Sequence, residues 1–266
     1  MQHSRKIRYI IAFLLLSISV LVFVAMNVCI GTVKISLEDI IASIGGGQIN
    51  NSRILWDIRM PRTMAALILG GALALAGYLL QTFFHNPIAG PFVLGISSGA
   101  KMVVALVMVV LMGRAIRVSS LTLIVAAFLG AMISMGFVLL MSRKVNNMSM
   151  LVVSGVMIGY ICSAVTELVV TFANDAEIVN LHNWSRGSFS GMTWDNVIVM
   201  AVVITVTFVI VFFMAKPLSA YQLGESYAQN MGVNIRLLRV ALVILSSILS
   251  ACIVAFAGPI SFVGVA

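Results

Sequence analysis

Long apolar runs, each about a bilayer deep, follow one another along the chain with only brief polar interruptions. They fall at Tyr9–Ile30, Thr63–Phe83, Phe92–Met112, Ser120–Met141, Met148–Phe172, Trp194–Ala215 and Leu238–Ala257, and an eighth opens near Pro259. A helix needs roughly 20 apolar residues to cross the hydrocarbon core. The pattern therefore predicts an all-α polytopic membrane protein, one domain over residues 1–266 with no soluble domain attached. Small residues recur every four positions inside the runs: Ala66, Gly70 and Ala74; Ala126, Gly130 and Ser134; Gly155, Gly159 and Ser163; Ser246 and Ser250. Lipid gives helices no hydrophobic reason to associate, so these stripes predict close backbone contact in a tight bundle.

Composition sharpens this picture. Of the 266 residues 61% are hydrophobic and 9% charged, against about 25% charged in soluble domains. The formal charge of +8 does not indicate nucleic acid, because the basic residues sit at the ends of apolar runs rather than in one patch. Cys29, Cys162 and Cys252 lie in apolar runs without metal-ligand spacing and read as small buried hydrophobes. Arg5, Lys6 and Arg8 precede the first run as in a signal peptide. That run exceeds the usual apolar length of about 7–15 residues and has no small-residue cleavage site, so it reads as a retained first span. With the N-terminus inside, the inner loops hold Arg143, Lys144, Lys216, Arg236 and Arg239, and the outer loops hold most of the acids. Arg59, Arg62, Arg114 and Arg117 then lie outside and need a separate explanation.

Four stretches carry candidate chemistry. In the first, Arg59-Met60-Pro61-Arg62 opens the second span, with Pro61 in the first helical turn, where a missing N–H is harmless. Two guanidiniums three residues apart share a face. They either anchor at lipid phosphates or take carboxylates of an extracellular partner. The second runs from Gln81 through Asn86-Pro87 and Gly90-Pro91 to Ser97-Ser98-Gly99. Broken backbone at membrane depth needs burial in protein or a cavity to line, and a transport path between close-packed helices meets that need. The third is the long inner loop from Lys216 to Arg239. Leu223-Gly224 reads there as a hinge, Glu225 as a first-turn acid, Gly232 as a left-handed C-terminal residue and Asn234 as a cap. Tyr227, Ala228 and Met231 are expected on one apolar face, suited to a groove on another protein. The fourth is the outer segment from Asn174 to Trp194, read as a short rim helix with Trp184 and Trp194 in an interfacial belt.

Two charges fall within runs, Lys101 and Glu167. Counting from Pro91 and from the start of the fifth span places them roughly 15 Å and 27 Å deep, too far apart to pair. An intramembrane lysine is a functional candidate by default, here one that favours anionic cargo, though its stem can also snorkel. The chain has no GxxxxGK[ST] loop, no HExxH cluster and no Gly-x-Ser-x-Gly elbow, so no catalytic constellation, metal site or cofactor is expected.

These motifs, in order, resemble one known family. Gly70-Gly71-Ala72-Leu73-Ala74-Leu75-Ala76-Gly77 follows the arginine pair. Gln81, Asn86-Pro87-Ile88-Ala89 and Leu94-Gly95-Ile96-Ser97-Ser98-Gly99-Ala100 come next. Leu223-Gly224-Glu225, Ala228, Gly232-Val233 and Gly258-Pro259-Ile260-Ser261-Phe262-Val263-Gly264 complete the set. Together they are similar to the FecCD-type permease subunits of ABC importers for iron–siderophore complexes, haem and vitamin B12. The resemblance implies a type II ABC importer permease-like bundle with about seven to eight of the family's ten helices present. It implies a second permease subunit, identical or a sibling, two cytoplasmic ABC ATPases and an extracytoplasmic substrate-binding protein. By position, Arg59 and Arg62 would dock the binding protein. Leu223, Gly224, Glu225, Ala228, Met231 and Gly232 would form the coupling helices at the ATPase. Gln81, Asn86, Pro87, Ser97, Ser98, Gly99, Lys101, Gly155 and Gly159 would line or gate the path. Family members continue past Gly264 with a Pro-His segment and further helices, so the expectation is a fragment or truncated product. Lys101 replaces a residue that is usually small or apolar.

The reading is thus a multi-pass permease of a bacterial cytoplasmic membrane, not itself an enzyme. It imports a metal chelate, ferric siderophore first among the candidates, by alternating access driven by ATPases. The alternative is a secondary transporter driven by an ion gradient, which needs carboxylates near mid-bilayer; Glu167 alone comes near. A polytopic lipid-modifying enzyme would need His, Asp or Cys clustered at one membrane face, which the sequence does not offer.

Overall fold

Apolar runs of this length must satisfy their own backbone hydrogen bonds in lipid, which leaves the helix as the solution for each. The computed structural model describes residues 2–31, 33, 52–87, 89, 90, 95–112, 119–144 and 148–260. Ten α-helices are described there: α1 (Gln2–Cys29), α2 (Met60–Phe84), α3 (Ile96–Met112), α4 (Ser120–Lys144), α5 (Met148–Thr171), α6 (Asp175–Ser185), α7 (Trp194–Phe213), α8 (Ala215–Gln222), α9 (Glu225–Asn230) and α10 (Ile235–Ala257). A π-helical turn, Ile54–Arg59, runs directly into α2. Six helical stretches among the described residues are long and apolar enough to cross a membrane, and Ile96–Leu111 is a shorter apolar helix.

Two expectations are corrected. The second span begins not at Thr63 but at Ile54, making a continuous stretch of 31 residues to Phe84. Pro61 is accordingly inside the helix rather than in its first turn. A proline cannot donate to the carbonyl four residues back, and its ring crowds that oxygen. The widened turn just before it, in which Met60 N–H reaches the Leu55 carbonyl, makes room for the ring. The third span is shorter than Phe92–Met112, because its helix starts at Ile96. Of the described residues just before that start, Ala89, Gly90 and Gly95 are not helical. Gly95 lies against Gly155 and Gly159, about 10–16 Å along α5 from its inner end. The eighth run, past Ile260, lies outside the described residues.

The chain divides into two compact units, Met1–Leu67 with Ser190–Val197, and Ile68–Phe189 with Ile198–Ala266. In the first unit, α1 leaves nearly all its apolar side chains exposed and packs through its last turn, Val28 meeting Leu55 and Met60. Trp194 Nε1 donates to the Trp56 carbonyl at 2.8 Å. In the second unit α10 is the most enclosed span, and it packs against α3, α4 and α9. Its buried Ser246, Ser247 and Ser250 turn their hydroxyls back to carbonyls one turn earlier, so no polar group is left unpaired among them.

The small-residue stripes have distinct fates. In α4, Gly130 meets Gly99 of α3 backbone to backbone. A Cβ on Gly130 would come 2.2 Å from the Gly99 oxygen, and one on Gly99 would come 1.9 Å from Ser134 Oγ. In α5, Gly155 and Gly159 receive Gly95. In α2, Gly70 and Ala74 are exposed, and a Cβ added at Gly70 finds no atom within 4 Å among the described residues.

Candidate functional site

The connection between α7 and α10, inner by the charge pattern of the loops, is a built elbow. α8 ends at Leu223, and Gly224 turns the chain at φ 126° and ψ 147°, a conformation open essentially to glycine alone. α9 then runs six residues and closes with paired bonds, Gly232 N–H to Gln229 O at 2.9 Å and Val233 N–H to Ala228 O at 3.0 Å. Gly232 holds φ 83°, the left-handed position expected of it. Asn234 Oδ1 accepts from Leu237 N–H at 3.1 Å and caps α10 as expected.

The elbow's faces differ from expectation. Ala228 is completely buried, whereas Leu223, Tyr227 and Met231 are 72%, 49% and 62% exposed. Tyr227 and Met231, four residues apart, form the outward apolar stripe of α9, and Leu223 is exposed on the other side of the Gly224 turn; Ala228 serves the inner face.

A polar cluster, not anticipated from the sequence, ties that inner face down. Glu225 Oε1 accepts from the Tyr221 hydroxyl at 3.1 Å and forms an ion pair with Arg239 of α10. Gln222 Nε2 donates to Tyr78 OH and Thr82 Oγ1, both at 3.1 Å, on the inner end of α2. The His85 ring lies 4.8 Å from that of Tyr221, which is fully buried. His85 itself ends α2 at φ 49°, with His85 N–H on Thr82 O and Asn86 N–H on Gln81 O. A non-glycine residue there is uncommon. Burial pushes the Glu225 carboxyl up, but the Arg239 guanidinium, the Tyr221 hydroxyl and nearby His85 outweigh it, and Glu225 titrates below its ordinary value. Burial, chiefly, raises the Tyr221 phenol, with the Glu225 charge adding and Arg239 opposing.

The residues assigned to a path divide among four places. Ser98, Gly155 and Gly159 come together, with Gly95, Tyr160 and Ser163, around a groove of about 190 Å³ between α3 and α5. Gln81, Asn86 and Pro87 instead belong to the closing turn of α2 beside the elbow. Gly99 is buried in the α3–α4 crossing, where it faces Gly130 and Ser134 rather than a groove. Ser97 and Lys101 are half-buried on α3. The late start of α3 changes the depth of Lys101. Gly99 sits on Ser134, whose Oγ is 3.7 Å from Cys162 Sγ on α5. Lys101 is therefore within about 5 Å of the level of Glu167, not 12 Å. Among the described residues the two still form no ion pair.

The outer arginines also part. Arg59 is 8% exposed and turns inward, donating to the carbonyls of Val28 at 2.6 Å and Cys29 at 3.2 Å, and to that of Val33. It closes the C-terminus of α1, where a cation suits the exposed carbonyls. Arg62 donates to the Ser190 carbonyl at 2.8 Å and remains partly exposed. They do not present one carboxylate-binding face. On the outer side, α6 begins at Asn174, whose backbone N–H donates to the buried Glu177 carboxylate at 3.1 Å. It ends at Gly187, which packs on Gly258 at the end of α10.

Known proteins resemble this chain in sequence and in fold. Residues 18–266 match the FecCD transport family. The vitamin B12 import system permease protein BtuC of Salmonella typhi is 33% identical over 263 residues, 99% of this chain and 77% of the relative. The BtuC of Salmonella newport (strain SL254) matches with the same identity and coverage. A solved structure described as an inward-facing conformation of a metal-chelate type ABC transporter superposes with TM-score 0.80 at 26% identity, covering 94% of this chain and 77% of that one. Six bilayer-length helices, this family match and these relatives make the chain a multi-pass protein of the cytoplasmic membrane, and it belongs to the FecCD transport family as a permease of that type.

Proposed function

We propose that the chain works as one permease domain that imports a bulky metal chelate by alternating access, driven by ATP hydrolysed on partner subunits. The observation that carries this reading is the elbow. Its inner face is tied to α2 and α10, while Leu223, Tyr227 and Met231 remain exposed among the described residues. A short, capped helix with an apolar stripe suits a groove on a cytoplasmic ATPase. The relatives' names support a chelate as cargo. Within that class we place ferric siderophore ahead of cobalamin and haem, because Lys101 puts a half-buried cation on α3 that favours an anionic chelate. The reading further includes a second permease subunit and an extracytoplasmic binding protein that meets Arg62 rather than Arg59.

The test is uptake in cells carrying the full chain with its chromosomal neighbours, using an anionic ferric siderophore and cyanocobalamin as probes. The expected result is siderophore accumulation that stops on ATP depletion and survives a protonophore. Tyr227→Ala should reduce uptake together with co-purification of a nucleotide hydrolase. Uptake abolished by the protonophore at constant ATP would establish the ion-gradient alternative, and cobalamin uptake alone would reassign the cargo.

A further inference from the structure

α10 is pinned at both ends. At the inner end Arg239, in its second turn, pairs with Glu225 of the elbow, and Tyr221 shares the same carboxylate oxygen. At the outer end the contact is backbone on backbone with the rim helix α6. Ser188 N–H donates to the Ala257 carbonyl at 2.7 Å. Gly187 and Gly258 hold φ of 68° and 77°. A Cβ on Gly258 would fall 2.8 Å from the Trp184 oxygen and 2.9 Å from Gly187 Cα. Two left-handed glycines meet there because nothing bulkier fits. The helix that carries both pins has 23 residues and is about 34 Å long. Most are buried against α3 and α4, and the buried serines are satisfied within the helix itself. A helix so enclosed moves as a rigid element, since packed interiors do not deform continuously.

We infer that α10 is the rod that carries displacement of the inner elbow to the outer rim helix α6, with Arg239 and Gly258 as its positioning residues. The inference rests on the functional reading above, in which the elbow is what a partner ATPase moves. Arg239 touches neither cargo nor the outward stripe; it acts through Glu225 on the elbow's attitude to α10. The Gly187–Gly258 contact leaves α6 no slack when the outer end of α10 shifts.

The experiment uses the full chain purified with its co-expressed ATPase in lipid nanodiscs, carrying Cys29→Ser and a maleimide-reactive Val179→Cys on the exposed face of α6. Labelling rate at position 179 is compared with and without a non-hydrolysable ATP analogue. The expected result is a several-fold change in rate for the parent chain, lost in Arg239→Gln although the ATPase still co-purifies. Restoration in the charge swap Glu225→Arg with Arg239→Glu would separate positioning from a mere loss of folding. Gly258→Ala should abolish the change from the other end. A response undiminished in Arg239→Gln, or absent in the parent chain with the ATPase bound, overturns the rod and leaves the functional reading standing. Failure of the ATPase to co-purify with the parent chain overturns the functional reading itself.

Discussion

At Gly99 a single methyl group has nowhere to go: its position lies 1.9 Å from Ser134 Oγ and 2.6 Å from the Gly130 oxygen. One of these neighbours is backbone and cannot swing aside. Gly99→Ala should therefore lower stability by about 1–3 kcal/mol or more through overpacking. Gly70→Ala, with open space around it, should be neutral or gain up to about 1 kcal/mol from helix propensity. Thermal unfolding of the two variants in one detergent compares them directly. The same scale governs Glu225. Its carboxyl is held below the ordinary value in the folded chain, so its contribution is fully present above the unfolded carboxyl's pKa. It is lost as pH falls through the lower, folded value. With the Glu225 side chain 36% exposed, solvent screening limits the effect to on the order of 1 kcal/mol. Acid unfolding followed by tryptophan fluorescence should show that loss in the parent chain and not in Glu225→Gln.

For whole helices, what matters is how each end is closed. α1 has no glycine in a left-handed C-terminal turn to close it; Arg59 reaches across from the π-helical turn and takes its last carbonyls. Hydrogen bonds from a charged donor are worth about 1.5–3 kcal/mol each, enough to decide whether a terminal turn frays. Arg59→Ala should loosen the last turn of α1 and raise the reactivity of Cys29 toward maleimide several-fold. Arg59→Lys, lacking the planar fork, should fall between. Unchanged Cys29 reactivity would remove the capping role. Arg59 and Arg62, three residues apart on the helix, send their guanidiniums to different partners, the end of α1 and the Ser190 carbonyl.

Across the whole molecule, what could be read in advance was local. Gly232 and Asn234 announced their backbone roles because left-handed turns and caps depend on neighbours within four residues. The existence of the spans followed from length and apolarity, and the α4 and α5 stripes did mark close contacts. The Arg239–Glu225 pair bridges fourteen residues and two helices, and the tilted ring contact of His85 with Tyr221 joins positions 136 apart. No periodicity encodes either. Spacing groups Ala228 with Tyr227 and Met231, yet it is buried, because a six-residue helix makes under two turns and only its neighbours decide which side is inner. Pro61 misled for a related reason: whether a proline starts a helix or sits inside one depends on the turn before it.

The length of the second span has a mechanical consequence. Thirty-one residues from Ile54 to Phe84 measure about 46 Å, against a hydrocarbon core of about 30 Å. An ordinary tilt near 20° recovers only about 3 Å of that excess. Part of this helix must therefore project beyond the acyl chains like a jetty. Tyr78, Thr82 and His85, which moor the α8–α9 turn, sit at its far end. Core and headgroup layers together measure about 40–45 Å, so the helix spans both, and in the proposed reading a cytosolic partner would meet that mooring at the membrane surface.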